Sequence, residues 1–389
     1  MRKPARWIAL ALGTALLGIR EASPAGLEDR LTEARKAVEA VRGRSFTRSV
    51  PAETVDGPKL RKLLAQKLQE GLVVGLEDYF RSLAAIGAIA PADLPGLRDR
   101  LLDFYGGQVL AFYDPAEGKF FVSATAKEKA GSFSGIEESL VFTHELTHAL
   151  QDQHLSLDRR LRDLRSDGDA SLALEALLEG EATEVMVESA VKDLPGAEEG
   201  VEAMLAPLLT ASLADLDPDS TRGVPAFFSE QLFFPYSEGT AYVRERKKQG
   251  GWKAIDAAWS SPPATSAEIL HPGRPRTPPA SLRLGDSAVD PPPGMKFLYS
   301  DSLGEWTLRF LFRKAGVADA DSVAAGWRAD RILFFQGANR TAYAARFRAA
   351  DPAAALRLLD AWKKSSPGSS GAVRGEEVVV FTGFEKPPL

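Results

Sequence analysis

Cysteine is absent from the 389 residues, which excludes disulfides, thiolate-bound zinc, iron–sulfur clusters and cysteine nucleophiles together. Any metal must therefore be held by His and carboxylates. Histidine is scarce as well: His144, His148, His154 and His271 are the whole set. A surplus of basic charge is also missing, with 48 Lys and Arg against 53 Asp and Glu. Phosphate backbones need clustered cations, so nucleic-acid partners are set aside. No internal repeat is evident. The apolar run from Trp7 to Ile19 is too short to cross a bilayer comfortably.

What is present suffices for two or three globular domains, since 44% of the residues are hydrophobic. The N-terminus reads Met1-Arg2-Lys3-Pro4-Ala5-Arg6, then the apolar run, then Ala22-Ser23-Pro24-Ala25-Gly26. A basic stretch, a short apolar stretch and small residues in that order mark 1–25 as a secretory signal peptide. Export to the periplasm or extracellular space follows. An uncleaved anchor is the alternative, because Arg20 and Glu21 sit between the apolar run and the cleavage site.

Residues 26–105 read as a helical N-terminal region. Leu31, Ala34, Val38 and Val41 recur at three and four residues, and Pro58, Pro91 and Pro95 divide the stretch into several helices. Gln108–Tyr113 and Lys119–Ser123 flank the turn Asp114-Pro115-Ala116-Glu117-Gly118 as a β-hairpin. The spacing of Leu140, Val141, Leu146, Ala149 and Leu150 predicts a helix from Ile136 to about Leu155, with Ser134 as its cap. Further helices are expected over Asp169–Val191 and Pro225–Lys248. Residues 106–260 form the expected core, and the Pro-rich stretch 261–297 a connection. Residues 298–389 make a small α+β unit on an antiparallel sheet, with helices at Trp306–Lys314, to Trp327 and at Pro352–Lys364, and strands at Arg331–Phe335, Thr341–Phe347 and Glu377–Phe381. The expected class is α+β: a mainly helical core with a hairpin before its main helix, plus the C-terminal α+β unit.

His144-Glu145-Leu146-Thr147-His148 carries the chemistry. Two His four residues apart project from one face of a helix, where both imidazoles can reach one ion at about 2.0–2.1 Å. Glu145 follows the first His by about 100° around the helix, beside the open coordination position, where a carboxylate can activate a bound water. A catalytic zinc needs a third protein ligand, and Leu178-Glu179-Gly180-Glu181-Ala182-Thr183 offers two carboxylates. They point about 200° apart on a helix, so at most one of Glu179 and Glu181 can be that ligand. Asp152 and Thr183, four residues after His148 and Glu179, are candidates to support the ligands. The oxyanion donor is sought among Tyr236, Tyr242 and His271. The strand Lys119–Ser123 could offer an edge to an extended peptide.

His144-Glu145-Leu146-Thr147-His148-Ala149 resembles the zinc helix of thermolysin-like peptidases, and Leu178-Glu179-Gly180-Glu181-Ala182 resembles the second motif of aminopeptidase-type gluzincins. The Glu before Gly is the zinc ligand in that motif, so the resemblance selects Glu179. The separation from His148 is longer here than in those families. A bacterial and archaeal group of uncharacterised exported metallopeptidases is similar over a longer pattern: Phe112-Tyr113-Asp114-Pro115, Ala149-Leu150-Gln151-Asp152-Gln153, Phe234-Pro235-Tyr236 and Glu268-Ile269-Leu270-His271-Pro272. The resemblance implies a zincin-like core, one catalytic Zn2+ held by His144, His148 and Glu179, Glu145 as base, and a peptide or protein substrate. Two other readings stand beside it: an envelope scaffold with a structural or vestigial zinc site, and a zinc hydrolase of a non-peptide substrate.

Overall fold

The computed structural model describes residues 26–124, 135–193, 223–274, 289–386 and 388. The secretory signal and the Ser134 cap lie outside the described residues. In chain order the elements are α1 (Leu27–Arg42), β1 (Ala52–Val55), α2 (Gly57–Glu70), α3 (Leu76–Ala85), α4 (Leu97–Gln108), β2 (Ala111–Asp114), β3 (Lys119–Ser123), α5 (Gly135–Leu155), α6 (Leu157–Asp163), α7 (Gly168–Asp193), α8 (Ala226–Gly250) and α9 (Trp252–Ser260). They continue with α10 (Ser266–Leu270), β4 (Lys296–Asp301), α11 (Gly304–Lys314), α12 (Ala320–Ala324), β5 (Trp327–Gln336), β6 (Thr341–Ala349), α13 (Pro352–Ser365), β7 (Ser370–Arg374) and β8 (Glu377–Thr382). The class is α+β with two sheets. The chain forms two compact units, one within residues 1–71, 97–163 and 175–262, the other within 72–96, 164–174 and 263–389. The expected helical N-terminal region thus contributes to both units.

In the first unit, α1 presents Leu31, Ala34 and Val38 to a core shared with Phe142, Leu146, Ala149 and Leu150 of α5. That is the period of an amphipathic helix put to use: positions three and four apart leave water together. Tyr113, Phe120 and Val122 of the hairpin close the same core, with Phe120 edge-on to Phe142 at 5.1 Å between ring centroids. The hairpin turn is fixed by Asp114, whose carboxylate accepts from Ala116 N–H and whose carbonyl accepts from Gly118 N–H. Gly118 takes a φ of 64°, a left-handed conformation that costs glycine little. Lys67 of α2 reaches the buried Asp114 carboxylate at 2.8 Å.

The strand order in this unit is β1-β3-β2, with β1 parallel to β3 and β2 antiparallel to it. β1 lies inside the stretch read as helical, and it covers the side of Lys119–Ser123 expected to offer a free edge. β3 is central, so the outer edges of this small sheet belong to β1 and β2.

The second unit holds the five-stranded antiparallel sheet β4-β5-β6-β8-β7. Leu333, Phe335, Ala342, Ala344 and Phe381 point to one face, against Met295 and Val289. Phe334, Tyr343 and Phe347 belong to the other face, where Trp362 of α13 meets Tyr343 and Phe347 at 5.7 and 5.0 Å. Burial on both faces explains the unbroken apolar run Ile332–Phe335. The Pro-rich stretch contains α10, whose start Thr265 caps through Glu268 N–H. Carboxylates pin the surrounding loops. Asp330 accepts from the N–H groups of Leu303 and Gly304 and from Trp327 Nε1; Asp169 accepts from Ser266; Asp301 accepts from Gly168 and Ser302 N–H through Oδ1.

Candidate metal centre

One turn separates His144 from His148 on α5, and both rings are buried. Glu179 arrives from α7. His144 Nε2 lies 3.0 Å from Glu179 Oε2, His148 Nε2 lies 3.3 Å from the same oxygen, and the two Nε2 atoms are 3.1 Å apart. Ligand atoms at about 2.0–2.1 Å from a tetrahedral ion stand roughly 3.3 Å from one another. The three atoms therefore have the size of one face of such a tetrahedron. They form the sole cluster of this kind among the described residues.

Glu145 points elsewhere from the same helix turn. Its Oε2 accepts a hydrogen bond from Tyr113 N–H on β2 at 2.8 Å, while Oε1 is buried with no partner among the described residues. One oxygen is thus anchored and the other left with its lone pairs available. Burial pushes the Glu145 carboxyl up to about 8, the Glu179 charge adding to the effect and His148 and the Tyr113 N–H opposing it. Burial lowers His144, with His148 adding to the effect and Glu179 opposing it. Burial would act the same way on His148, but the Glu179 carboxylate overrides it and raises the imidazole, and His148 in turn holds Glu179 down. Protons and a cation therefore compete for the same lone pairs.

The other imidazole nitrogen of His148 has a partner of its own. Nδ1 lies 2.8 Å from Gln151 Oε1, and Gln151 Nε2 donates to Leu178 C=O at 3.0 Å and to Glu181 Oε2 at 2.9 Å. Glu181 also accepts from Trp259 Nε1 and pairs with buried Arg42. The helix rotation between Glu179 and Glu181 thus sends the first to the imidazoles and the second to Arg42. Gly180, between them, packs against α8: a Cβ there would overlap the Gly239 carbonyl, and one at Gly239 would overlap Ala176. The close approach that Gly180 permits is therefore between α7 and α8.

Asp152 turns toward β2, accepting from Tyr113 OH and Arg48 at 2.8 Å each and from Leu157 N–H at 2.9 Å. The side chain that meets an imidazole is Gln151, its neighbour. Thr183 is buried with its hydroxyl unpartnered among the described residues. Tyr236, in the turn of α8 that Pro235 interrupts, stacks on His144 with centroids 5.9 Å apart and planes 19° apart. Tyr242 is buried farther along α8. His271 lies in the second unit, at the end of α10, with Nε2 2.7 Å from Glu305. Gln151 and Tyr113 both fall in stretches quoted above, and Gln151 shares the face of His144 and His148 at the seventh and third position after them. Arg42 and Trp259 carry no such signal.

A profile of a domain of unknown function (DUF8575) matches residues 296–384, the stretch that runs from β4 through β8. No curated protein matches the chain. Among solved structures, a crystal structure from Chloroflexus aurantiacus, described as that of a proposed hydrolase with a novel fold, is similar at 17% identity and a TM-score of 0.37, over 63% of this chain and 86% of that one.

Proposed function

We propose that the protein is a zinc-dependent hydrolase of peptide bonds, with His144, His148 and Glu179 as ligands and Glu145 as general base. The observation that carries the reading is the convergence of two Nε2 atoms and one carboxylate oxygen within 3.0–3.3 Å beside an anchored glutamate. Two imidazoles and one carboxylate with an open fourth position are the donor set of hydrolytic zinc sites, whereas thiolate alternatives are excluded by composition. When bound there, the ion supplies Lewis acidity and lowers the pKa of its water toward about 7.

The chain's own residues do the rest. Tyr113 N–H fixes Glu145 Oε2, so that Oε1 accepts the proton of the attacking water and later passes it to the leaving amine. With a dication held at the three ligands, Glu145 would be drawn down from its raised value, toward the ionised form a base requires. Tyr236, stacked on His144, is the proposed donor to the developing oxyanion. The peptide bond as substrate rests on the resemblance of the two motifs to gluzincins. Export rests on the order of basic, apolar and small residues in 1–25 and is read by N-terminal sequencing of the mature protein.

The test is digestion of a peptide library by zinc-loaded wild type and Glu145→Gln. Wild type should cleave, and the variant should keep its zinc while losing at least about 10²–10⁴ of the rate. Undiminished cleavage by the variant would remove Glu145 from its role.

A further inference from the structure

We propose that Glu181 is a positioning residue for metal binding, acting through Gln151 to hold His148 as the Nδ1–H tautomer with its Nε2 lone pair turned to the ligand cluster. The inference rests on the metal site proposed above. Gln151 Nε2 meets two groups that can only accept, the Leu178 carbonyl and the Glu181 carboxylate. A flipped amide would aim its oxygen at both, so the orientation is determined by chemistry rather than by choice. Oε1 must then face His148 Nδ1 as an acceptor, which requires the proton on Nδ1.

Glu181 is surrounded by donors: Arg42 Nε on Oε1, and Trp259 Nε1 at 2.7 Å with Gln151 on Oε2. Arg42 is held in place by Asp256 at 2.9 Å and lies between the faces of Trp252 and Trp259, 4.4 and 5.0 Å from their ring centroids. Arg42, Glu181, Gln151 and His148 are all buried. A hydrogen-bonded chain sealed from water cannot exchange partners cheaply. The carboxylate excluded from the metal thus orients a metal ligand from behind.

Four histidines make the tautomer directly readable by nitrogen–proton correlation on the ¹⁵N-histidine-labelled, zinc-loaded full chain. Wild type should show His148 protonated at Nδ1 with slow exchange. Zinc affinity is measured by chelator competition for wild type, Gln151→Leu and Glu181→Gln. Both variants should bind zinc about 10–100-fold more weakly, with faster exchange of the Nδ1 proton. Wild-type zinc affinity in either folded variant would overturn the inference and leave the metal site standing, whereas an Nε2–H tautomer in the zinc-loaded wild type would remove His148 from the ligands and overturn both. If Glu181→Gln fails to fold because Arg42 loses one of its two counter-charges, Gln151→Leu decides by its zinc affinity and its Nδ1–H exchange rate. Absence of zinc binding by the wild type would instead overturn the reading on which the inference rests.

Discussion

Tyr113 meets α5 through two different atoms, its N–H on Glu145 and its hydroxyl on Asp152. The hydroxyl can be removed without touching the other contact. Tyr113→Phe leaves Asp152 with Arg48 and Leu157 N–H, so the loss should be that of one buried hydrogen bond, about 1 kcal/mol in urea unfolding. A variant as stable as wild type would show that the Tyr113–Asp152 bond contributes nothing. At this scale the pairing of His144 with His148 was legible in the sequence because their spacing is a property of one helix, whereas Glu179, on α7, was singled out by resemblance. The support for His148 was harder to read. Positions three and four after a helical residue both lie on its side, and only the direction of Nδ1 distinguishes Gln151 from Asp152. Arg42 and Trp259 come from remote stretches of chain, which local spacing cannot reach.

Helix crossing sets the second scale. In an exposed helix interior, Gly→Ala stabilises by about 1 kcal/mol. At Gly180 the sign should reverse, because the added methyl would overlap backbone atoms of Gly239 and Thr240 that no rotamer change can move. Overpacking of this kind costs about 1–3 kcal/mol, and it falls on the residue next to Glu179. Gly180→Ala should therefore lower both the unfolding midpoint and zinc affinity; a stabilised variant would refute the crossing. The long helices and the hairpin were legible from period and turn chemistry. β1 was not, since Ala52–Val55 is short and its partner β3 is far along the chain. β4 and β7 were missed for a related reason: they are sheet edges, and β7, Ser-Gly-Ala-Val-Arg, alternates between exposed and half-buried positions with little apolar content.

The whole molecule should respond to solution conditions unit by unit. In the second unit, burial pushes Asp301 up to about 7 and Asp330 up to about 6, with Asp167 adding to both and Arg331 facing Asp167 as the cation. A carboxyl with a raised folded-state pKa binds its proton more tightly folded than unfolded. Its contribution is complete below about pH 4 and is lost as pH rises through 6–7. Asp301→Asn keeps the oxygen that accepts from Gly168 and Ser302 but cannot ionise. Unfolding of the second unit at pH 5 and pH 7.5 should thus show a smaller loss of stability in the variant than in wild type, and equal losses would contradict the assignment. In the first unit, zinc at about a thousand times its dissociation constant should add roughly 4 kcal/mol, reversed by a chelator.

The proposed hydrolysis depends on His144, His148 and Glu179 binding one zinc ion. Metal content of the purified, zinc-reconstituted chain tests it most directly, measured on wild type and on Glu179→Ala. About one zinc per wild-type chain is expected, and little in the variant. A wild-type chain that retains no metal, or a variant that retains as much as wild type, would contradict it.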